Sequence, residues 1–346
     1  MKAMVLAAGK GTRLFPLTGV IPKPMAPVAG KPIIQHIFEA LSEAGVDEVY
    51  VNVHYLAHII LGCYGERSQV DDMTVITTRE DELMGTAGGV RRLADRFDET
   101  FLVVMGDALT DADVREVVTF HKEHGAIATL VLKRVEDTSE YGVAELDAEK
   151  NILGFQEKPQ PEKAISNLAN TGIYVLEPEV LEYIPKDTFF DFAKDVFPRL
   201  LEYGEKVVGY EGDFYWSDIG TLVSYRAAQH DALSGRVAIK VPGERWGKGL
   251  WIAEKARIHP STYGRIEGYA VIGSKAVVGR GASLSGVVAV GDGCRVSDGA
   301  TLKQSVLLPG SSVGSEAYLE DCIVGPGYEV RPREWIRGGA LVRRAC

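Results

Sequence analysis

The sequence predicts an α/β protein in which a Rossmann-like, mostly parallel sheet is followed by a parallel β-helix of hexapeptide repeats. Three observations carry this prediction. Short apolar strand patterns alternate with amphipathic helix patterns over about the first two hundred residues. A loop with two glycines, residues 9–13, directly follows the first strand pattern. From residue 266 onward, an aliphatic residue recurs at every sixth position.

The first part of the chain alternates between the two kinds of element. The predicted strands are residues 2–7, 49–53, 73–77, 101–105 and 128–132. The predicted helices are residues 32–44, 56–64, 86–94 and 111–124, with Thr86 as the N-cap of the third. Hairpin-like pieces and a last helix at residues 222–233 follow. Such alternation predicts a sheet covered by helices on both faces, with ligands beyond the carboxyl ends of the strands.

The second part of the chain is repetitive. The aliphatic residues in one six-residue register are Ile266, Ile272, Val278, Leu284, Val290, Val296, Leu302 and Leu308. After a one-residue slip the period continues through Val330, with one step of five residues. This period is typical of a β-helix in which three hexads make one coil. Glycines and Pro242 lower regular structure just before it, so we predict two domains, residues 1–235 and 250–346.

Composition narrows the class of protein. The chain has 346 residues, 46% apolar and 25% charged, with a formal net charge of −10. This balance argues against nucleic acid or an anionic membrane as the partner. Cys63, Cys294, Cys322 and Cys346 show no CxxC spacing, so we expect neither a disulfide framework nor a zinc site. No signal peptide or membrane-spanning run is seen, and we expect a soluble, cytoplasmic protein.

The loop after the first strand predicts a phosphate cradle. Glycines there let backbone N–H groups approach phosphate oxygens, and Arg13 and Lys23 add positive charge. The loop lacks the GK[ST] of a Walker A motif. It also differs from a dinucleotide fingerprint, because Leu14 occupies the third glycine position and Pro16 blocks an immediate helix. Prolines on both sides are expected to keep the chain extended around Lys23.

Two carboxylates stand where a metal could be held. Asp107 follows the predicted strand 101–105, and Asp218 precedes the last helix. An aspartate at such a position is commonly a turn former or a helix cap. Mg²⁺, however, is typically held by one or two carboxylates together with substrate phosphates. We therefore expect Asp107 and Asp218 at strand ends of one sheet, where they could share a metal ion.

Several short motifs occur in one order along the whole chain. After the opening loop come GTAGG at 85–89, GD at 106–107, YGV at 141–143, EKP at 157–159, NTG at 170–172 and WSDIGT at 216–221. In this order they resemble the sugar-1-phosphate nucleotidyltransferases, and the C-terminal hexads resemble the left-handed β-helix often appended to them. GTAG and DIG are most similar to the bacterial mannose-1-phosphate guanylyltransferases.

The resemblance implies roles for particular residues. Mg²⁺ would be the cofactor, held by Asp107 and Asp218. The implied catalytic residues are Arg13, Lys23, Asp107, Lys158 and Asp218. The implied nucleotide-binding residues are Leu6, Ala8, Gly9, Gly11, Thr12, Gly85, Thr86 and Gly88, of which Gly85 and Gly88 would lie against the base. The implied sugar-phosphate-binding residues are Gly142, Glu157, Lys158 and Asn170.

The implied reaction joins a nucleoside triphosphate to a sugar 1-phosphate and releases pyrophosphate. GTP with mannose 1-phosphate is the expected pair, and glucose-1-phosphate uridylyl, adenylyl or thymidylyl transfer is the alternative. A regulatory subunit without catalytic activity is a second class, and an acyltransferase carried by the β-helix is a third. Small-molecule substrates and a homo-oligomer are the expected partners.

Overall fold

The computed structural model describes residues 1–343, which form two compact units. The first unit contains residues 1–9, 37–106 and 111–216, and the second contains residues 10–36, 107–110 and the chain from 217 onward. These units cut across the linear order of the chain, and the predicted division into residues 1–235 and 250–346 stays a prediction. Residues 344–346, with Cys346 and the end of the predicted second domain, lie outside the described residues.

The chain up to residue 234 contains both strands and helices. The strands are β1 (Lys2–Leu6), β2 (Pro27–Val28), β3 (Lys31–Pro32), β4 (Glu48–Val53), β5 (Arg67–Val70), β6 (Met73–Arg79), β7 (Phe101–Met105), β8 (Ala108–Thr110), β9 (Ala128–Arg134), β10 (Gly142–Leu146), β11 (Ile152–Glu157), β12 (Leu168–Leu176), β13 (Val207–Glu211) and β14 (Trp216–Asp218). The helices are α1 (Ile33–Glu43), α2 (Ala57–Tyr64), α3 (Gly85–Arg91), α4 (Val114–His124), α5 (Phe197–Glu202) and α6 (Leu222–Ser234). Among residues 1–343, no helix has the length and apolarity that a membrane span requires.

The chain from residue 244 onward is built of short strands. They are β15 (Glu244–Trp246), β16 (Leu250–Ile252), β17 (Arg257–Ile258), β18 (Ile266–Ile272), β19 (Val277–Val278), β20 (Ser283–Val290), β21 (Arg295–Val296), β22 (Thr301–Lys303), β23 (Val306–Leu307), β24 (Ser312–Val313), β25 (Tyr318–Glu320), β26 (Ile323–Val324), β27 (Glu329–Val330), β28 (Trp335–Arg337) and β29 (Ala340–Leu341).

The first unit is organised by a mixed sheet. Its strand order is β11-β10-β12-β7-β1-β4-β6-β5, with β9 pairing with both β12 and β13. The central strands β7, β1, β4 and β6 run parallel, which confirms the predicted Rossmann-like class. Towards the two edges, β12, β10, β11 and β5 are antiparallel to their neighbours. The central strands are nearly continuous apolar runs because helices cover both faces of a parallel sheet.

Aromatic side chains fill one part of this unit's core. Tyr174, Phe192 and Phe197 are fully buried, and Tyr174 meets Phe197 edge to face at a centroid distance of 4.9 Å. Phe97 and Phe101 stack at 4.4 Å. Such pairs contribute beyond the area that they bury. This packing holds the strand β12 against the segment that carries Phe192 and Phe197.

Three local predictions were wrong. The chain around Lys23 is not extended, because Lys23–Met25 forms a turn of 3₁₀ helix with a proline in its first turn. Thr86 is not the N-cap of α3, since Met84 occupies that position and Thr86 lies inside the helix. Asp218 does not end a strand of the large sheet, because β14 pairs with β8 in a separate two-stranded sheet.

In the second unit, strands from successive turns of the chain stack in parallel. Ile266 pairs with Leu284 and Thr301 pairs with Tyr318, so the step between coils falls from eighteen residues to seventeen. Eighteen is three times the six-residue period, and seventeen follows from one five-residue step. From Ile272 to Leu308 the periodic aliphatic side chains are almost fully buried, and those up to Leu302 belong to the apolar core of the coils. The left-handed winding stays a prediction from the family resemblance.

The coils turn at corners that lie above one another in three columns, and fourteen of these corners carry a residue with positive φ. The corner columns are Gly268, Gly286, Gln304, Asp321 and Gly338; Lys255, Lys275, Gly293, Gly310 and Gly327; and Gly281, Gly299, Glu316 and Arg333. Along the columns the backbone N–H of a corner residue donates to a carbonyl of the preceding coil, as Gly310 N does to Asp292 O at 2.8 Å. This left-handed backbone conformation favours glycine, which explains part of the glycine content here.

The helix α6 joins the coils to the segment of residues 10–36 within the second unit. It begins with a capping box in which Thr221 and Ser224 exchange hydrogen bonds. Gln229 Nε2 donates to Pro27 O at 2.6 Å, and Arg226 Nη1 donates to Asp321 O at 3.1 Å. One helix therefore contacts the proline-rich segment and a corner of the β-helix.

The corner glycines differ in how much a side chain would disturb them. A Cβ on Gly268 would lie 2.3 Å from Gly286 O, whereas a Cβ on Gly281 would meet nothing within 4 Å. Because both residues have positive φ, Gly281→Ala is expected to cost only the backbone strain, about 1 kcal/mol. Gly268→Ala is expected to cost at least about 2 kcal/mol more, since backbone must also move. Urea unfolding of the two variants tests this, and equal losses would contradict it.

Candidate active site

The phosphate loop begins in the first unit, at the end of β1. The backbone N–H of Ala7 donates to Asn52 Oδ1 at 2.9 Å, and Ala8 O accepts from Tyr55 N at 3.4 Å. Leu6 and Ala8 are buried, whereas Gly9 is exposed, and a Cβ added to Gly9 would meet nothing within 4 Å. Hydrogen bonds therefore hold the end of β1, and the loop that follows it has open space beside Gly9.

The loop continues in the second unit with a tight turn. Gly11 has φ +60° and precedes the 3₁₀ turn Thr12–Leu14. A Cβ on Gly11 would lie 3.0 Å from Lys23 Cβ and 3.2 Å from the methyl group of Thr18, and the Thr18 hydroxyl donates to Gly11 O. Glycine is required here for its conformation and for the close approach of Lys23.

Four charged residues of the second unit form a cluster, which we call the Lys23 cluster: Arg13, Lys23, Asp107 and Asp218. Lys23 Nζ lies 2.9 Å from Asp107 Oδ2 and 2.6 Å from Asp218 Oδ1. Arg13 Nη2 lies 2.7 Å from Asp218 Oδ2. Gly220 lets Arg13 approach, because a Cβ there would lie 3.0 Å from the guanidinium carbon. The structure therefore brings these four predicted residues together.

Burial and neighbouring charges have opposite effects on the pKa values in the Lys23 cluster. Burial lowers the pKa of Lys23, but the attraction of Asp107 and Asp218 outweighs it and holds the pKa above its usual value of 10.5. Burial likewise raises the pKa of Asp218, yet Lys23 and Arg13 together hold it below 3.8. Both side chains are consequently charged over the whole physiological range of pH. A charge can stay buried because its partner is in direct contact.

The carboxylates of the cluster fit a magnesium ion by their donor chemistry. Asp107 and Asp218 supply hard oxygen ligands, and they lie against the same ammonium group. Within residues 1–343 there is no group of three or more His, Cys, Asp or Glu side chains placed to hold a metal. A pair of carboxylates is what Mg²⁺ takes when substrate phosphates complete its coordination. These two residues could hold the ion.

The residues predicted for the sugar phosphate lie in the first unit. Gly142 and Glu157 are register partners on β10 and β11, and a Cβ on Gly142 would lie 2.9 Å from Glu157 Oε2. Lys158 follows directly and has φ +45°, which is strained for a lysine. Asn170 is on β12, where its amide donates to the Tyr174 hydroxyl at 2.9 Å. The fold brings Gly142 and Glu157 into contact and leaves Lys158 exposed.

The GTAGG segment packs closely against the backbone of residues 188–190. A Cβ on Gly85 would lie 2.4 Å from Phe190 O, and a Cβ on Gly88 would lie 2.7 Å from Thr188 O. The Thr86 hydroxyl donates to Asp191 Oδ2 at 2.8 Å. The backbone of residues 188–190 therefore already requires glycine at both positions. A contact of Gly85 and Gly88 with the base stays a prediction.

Sequence reasoning missed a buried network beside the strand end. Asn52 Oδ1 accepts from Ala7 N, and Asn52 Nδ2 donates to Glu80 Oε1 at 2.7 Å. Both side chains are almost fully buried, at 3% and 4% exposure, and Glu80 Oε2 has no hydrogen-bond partner within residues 1–343. A Cβ on Gly89 would lie 2.5 Å from Glu80 Oε1. The signal available in the sequence was an asparagine inside the apolar strand β4.

Exchanging the hydrogen-bond donor and acceptor between Asn52 and its partner Glu80 tests whether Asn52 stabilises the end of β1. Asn52→Asp should lower the free energy of unfolding by about 2–3 kcal/mol, because the donor to Glu80 becomes a second buried carboxylate. Adding Glu80→Gln should recover at least half of that loss, since the new amide can donate to the new carboxylate while Ala7 keeps its acceptor. Urea unfolding measures both variants. Additive losses would show that the two side chains are not coupled.

Two family models match this chain. Residues 2–235 match the model described as nucleotidyl transferase, and residues 266–344 match the model described as the GMPPB C-terminal domain. The first match covers more than half of the chain and contains every predicted site residue. Motif order, fold and family model therefore agree.

Individual relatives span nearly the whole chain. A UTP–glucose-1-phosphate uridylyltransferase of Synechocystis is 38% identical over 95% of this chain and 88% of its own length. A mannose-1-phosphate guanylyltransferase of Mycobacterium tuberculosis is 33% identical over 87% of this chain and 83% of its own. The solved structure of HddC from Yersinia pseudotuberculosis, complexed with GMP-PN, superposes with a TM-score of 0.57 at 25% identity, covering 67% of this chain and 99% of that one. This chain belongs to the nucleotidyl transferase family and is a sugar-1-phosphate nucleotidyltransferase.

Proposed function

We propose that the enzyme condenses GTP with mannose 1-phosphate to give GDP-mannose and pyrophosphate. The observation that carries this proposal is the match of residues 266–344 to the GMPPB C-terminal domain, in addition to the catalytic match. Relatives named as mannose-1-phosphate guanylyltransferases cover both parts of the chain. They include proteins of rice and of Danio rerio at 31–32% identity.

A second pair of substrates has its own support. The Synechocystis relative, at 38% identity, is named for UTP and glucose 1-phosphate. UTP with glucose 1-phosphate is therefore the second candidate for this chain. The two candidates share one reaction and differ in the base and in the sugar.

On the nucleotide side, we assign the triphosphate to the phosphate loop and to two cations. The assigned nucleotide-binding residues are Leu6, Ala8, Gly9, Gly11, Thr12, Gly85, Thr86 and Gly88. Backbone N–H groups at Gly9 and Gly11 would donate to phosphate oxygens. Arg13 and Lys23 would neutralise phosphate charge. Both contact carboxylates in the structure, and a metal ion bound with the nucleotide could replace them as the partner of those carboxylates.

On the sugar side, we assign the exposed ammonium of Lys158 to the phosphate and the neighbouring polar groups to the sugar. Glu157 and Asn170 would hydrogen-bond hydroxyl groups, and Gly142 would leave room beside Glu157. A left-handed backbone at a lysine costs free energy, and such strain is often kept at functional positions.

The reaction requires the protein to position its two substrates and to neutralise their negative charge. An oxygen of the sugar phosphate attacks the α-phosphorus in line, a P–O bond forms, and the bond to the β-phosphate breaks to release pyrophosphate. Both reactants are polyanions, so cations and fixed N–H donors contribute more than a covalent nucleophile would. Bound by Asp107 and Asp218, Mg²⁺ would neutralise the charge that develops on the phosphates. Arg13, Lys23 and Lys158 would orient the two substrates.

The substrate pair is tested by measuring pyrophosphate release over a matrix of nucleoside triphosphates and sugar 1-phosphates with Mg²⁺. We expect GTP with mannose 1-phosphate to have the highest kcat/KM. UTP with glucose 1-phosphate as the best pair would overturn the guanylyl proposal and establish the second candidate. Release of pyrophosphate from no pair would overturn both and favour a regulatory subunit.

The sugar-phosphate assignment is tested by Lys158→Ala, with Lys163→Ala as the matched control on a nearby exposed turn. Loss of a direct phosphate contact should raise KM for the sugar phosphate by about tenfold to a hundredfold. The KM for the nucleotide should change little. The control should leave both constants unchanged, and an equal effect of the two substitutions would refute the role of Lys158.

We also propose that the chain forms a homo-oligomer in which the β-helix serves assembly or regulation. Light scattering of the full chain tests this, and a monomer at micromolar concentration would count against assembly. The stacked coils have an apolar core of their own, and none of the residues assigned to the substrates belongs to that core, which supports a role other than the chemistry.

A further inference from the structure

Lys23 occupies the place between two carboxylates that a metal ion would otherwise neutralise. Its ammonium group contacts Asp107 at 2.9 Å and Asp218 at 2.6 Å, and its side chain is only 6% exposed. The other oxygen of Asp218 contacts Arg13. In the structure, Asp218 therefore has both of its oxygens occupied by cations of the protein itself.

The charges of the Lys23 cluster balance without a metal. Two positive side chains face two negative ones, so a divalent cation that arrives alone meets carboxylates that are already paired. It also meets repulsion from an ammonium group in contact with both of its ligands, in a place where burial strengthens charge interactions. A nucleoside triphosphate changes this balance, because its phosphates carry negative charge that can attract Lys23.

The backbone fixes where Lys23 stands, and its ammonium group ends a four-carbon stem of rotatable bonds. Lys23 begins a 3₁₀ turn with Pro22 before it and Pro24 after it, and its Cβ packs against Gly11 of the phosphate loop. The stem is thereby held next to the loop that we assign to the triphosphate. Rotation about the outer side-chain bonds could carry the ammonium group from the carboxylates to a phosphate.

We propose that Lys23 is a resident counter-ion that keeps Asp107 and Asp218 from binding a divalent cation until a nucleotide draws its ammonium group away. This inference rests on the proposed magnesium site. It makes metal binding depend on the nucleotide, and it gives Lys23 a role in the free enzyme besides phosphate binding. Metal and nucleotide then bind together, and the metal alone binds weakly.

The test measures binding of Mn²⁺ alone to the full chain by electron paramagnetic resonance. Wild-type protein should bind weakly without nucleotide, and Lys23→Met should bind at least about tenfold more tightly because the competing charge is gone. Lys2→Met is the matched control, since it removes a lysine paired with Asp98 on the surface and changes the net charge equally. It should bind like wild type. Asp218→Asn combined with Lys23→Met should abolish the gain.

Equal Mn²⁺ affinity of wild type and Lys23→Met would overturn the proposal, as would an equal gain in Lys2→Met. If Lys23→Met does not fold, Lys23→Gln carries the same expectation. A second readout is thermal unfolding, where Mn²⁺ alone should raise the melting temperature of the Lys23 variant more than that of wild type. No gain in wild-type Mn²⁺ affinity on addition of GTP or UTP would also overturn the proposal. Failure of the proposed function is measured separately, as absence of pyrophosphate release from every substrate pair, and it leaves the comparison of Mn²⁺ binding between wild type and Lys23→Met unchanged.

Discussion

A buried ammonium group between two carboxylates is the constraint on which the second unit depends. Lys23, Asp107 and Asp218 come from three segments that are far apart in the sequence, and each must reach the same place for the charges to be paired. Removing one member of the cluster leaves its positive and negative charges unequal, which destabilises a partly buried site. The turn at Lys23, the short pair of strands β8 and β14, and the glycine at position 220 all serve this one contact.

The helix α6 extends that constraint to the β-helix. Its Tyr225 and Gln229 bind the carbonyl of Pro27 in the segment that carries Lys23, while Arg226 binds a corner carbonyl at Asp321. The phosphate-loop turn and the coils are therefore parts of one compact unit. The repetitive domain supports the segment that bears the charged cluster through this helix, in addition to any role in assembly.

Much of the fold could be predicted from the sequence, because hydrophobic periodicity and turn-forming residues depend only on short stretches of the chain. The strands β1, β4 and β7, the loop at Gly9 and the six-residue period all lie within a few residues of their predicted places. The 3₁₀ turn at Lys23 was missed because flanking prolines permit both an extended chain and a tight turn. The Asn52–Glu80 contact was missed because it joins β4 to a residue after β6, 28 positions further along the chain, and one buried asparagine does not indicate its partner.

The change in coil step from eighteen to seventeen residues limits how this β-helix could vary in length. Removing or duplicating one complete coil would return every aliphatic residue to the interior and every corner to its column. The seventeen-residue coils already lack one residue, and their aliphatic side chains stay buried, so a single residue can be lost where no strand is shifted. Losing a single residue within a strand would instead turn the following side chains to the opposite face. A complete coil, or one residue between strands, is therefore the unit in which such a domain can be shortened or lengthened during evolution.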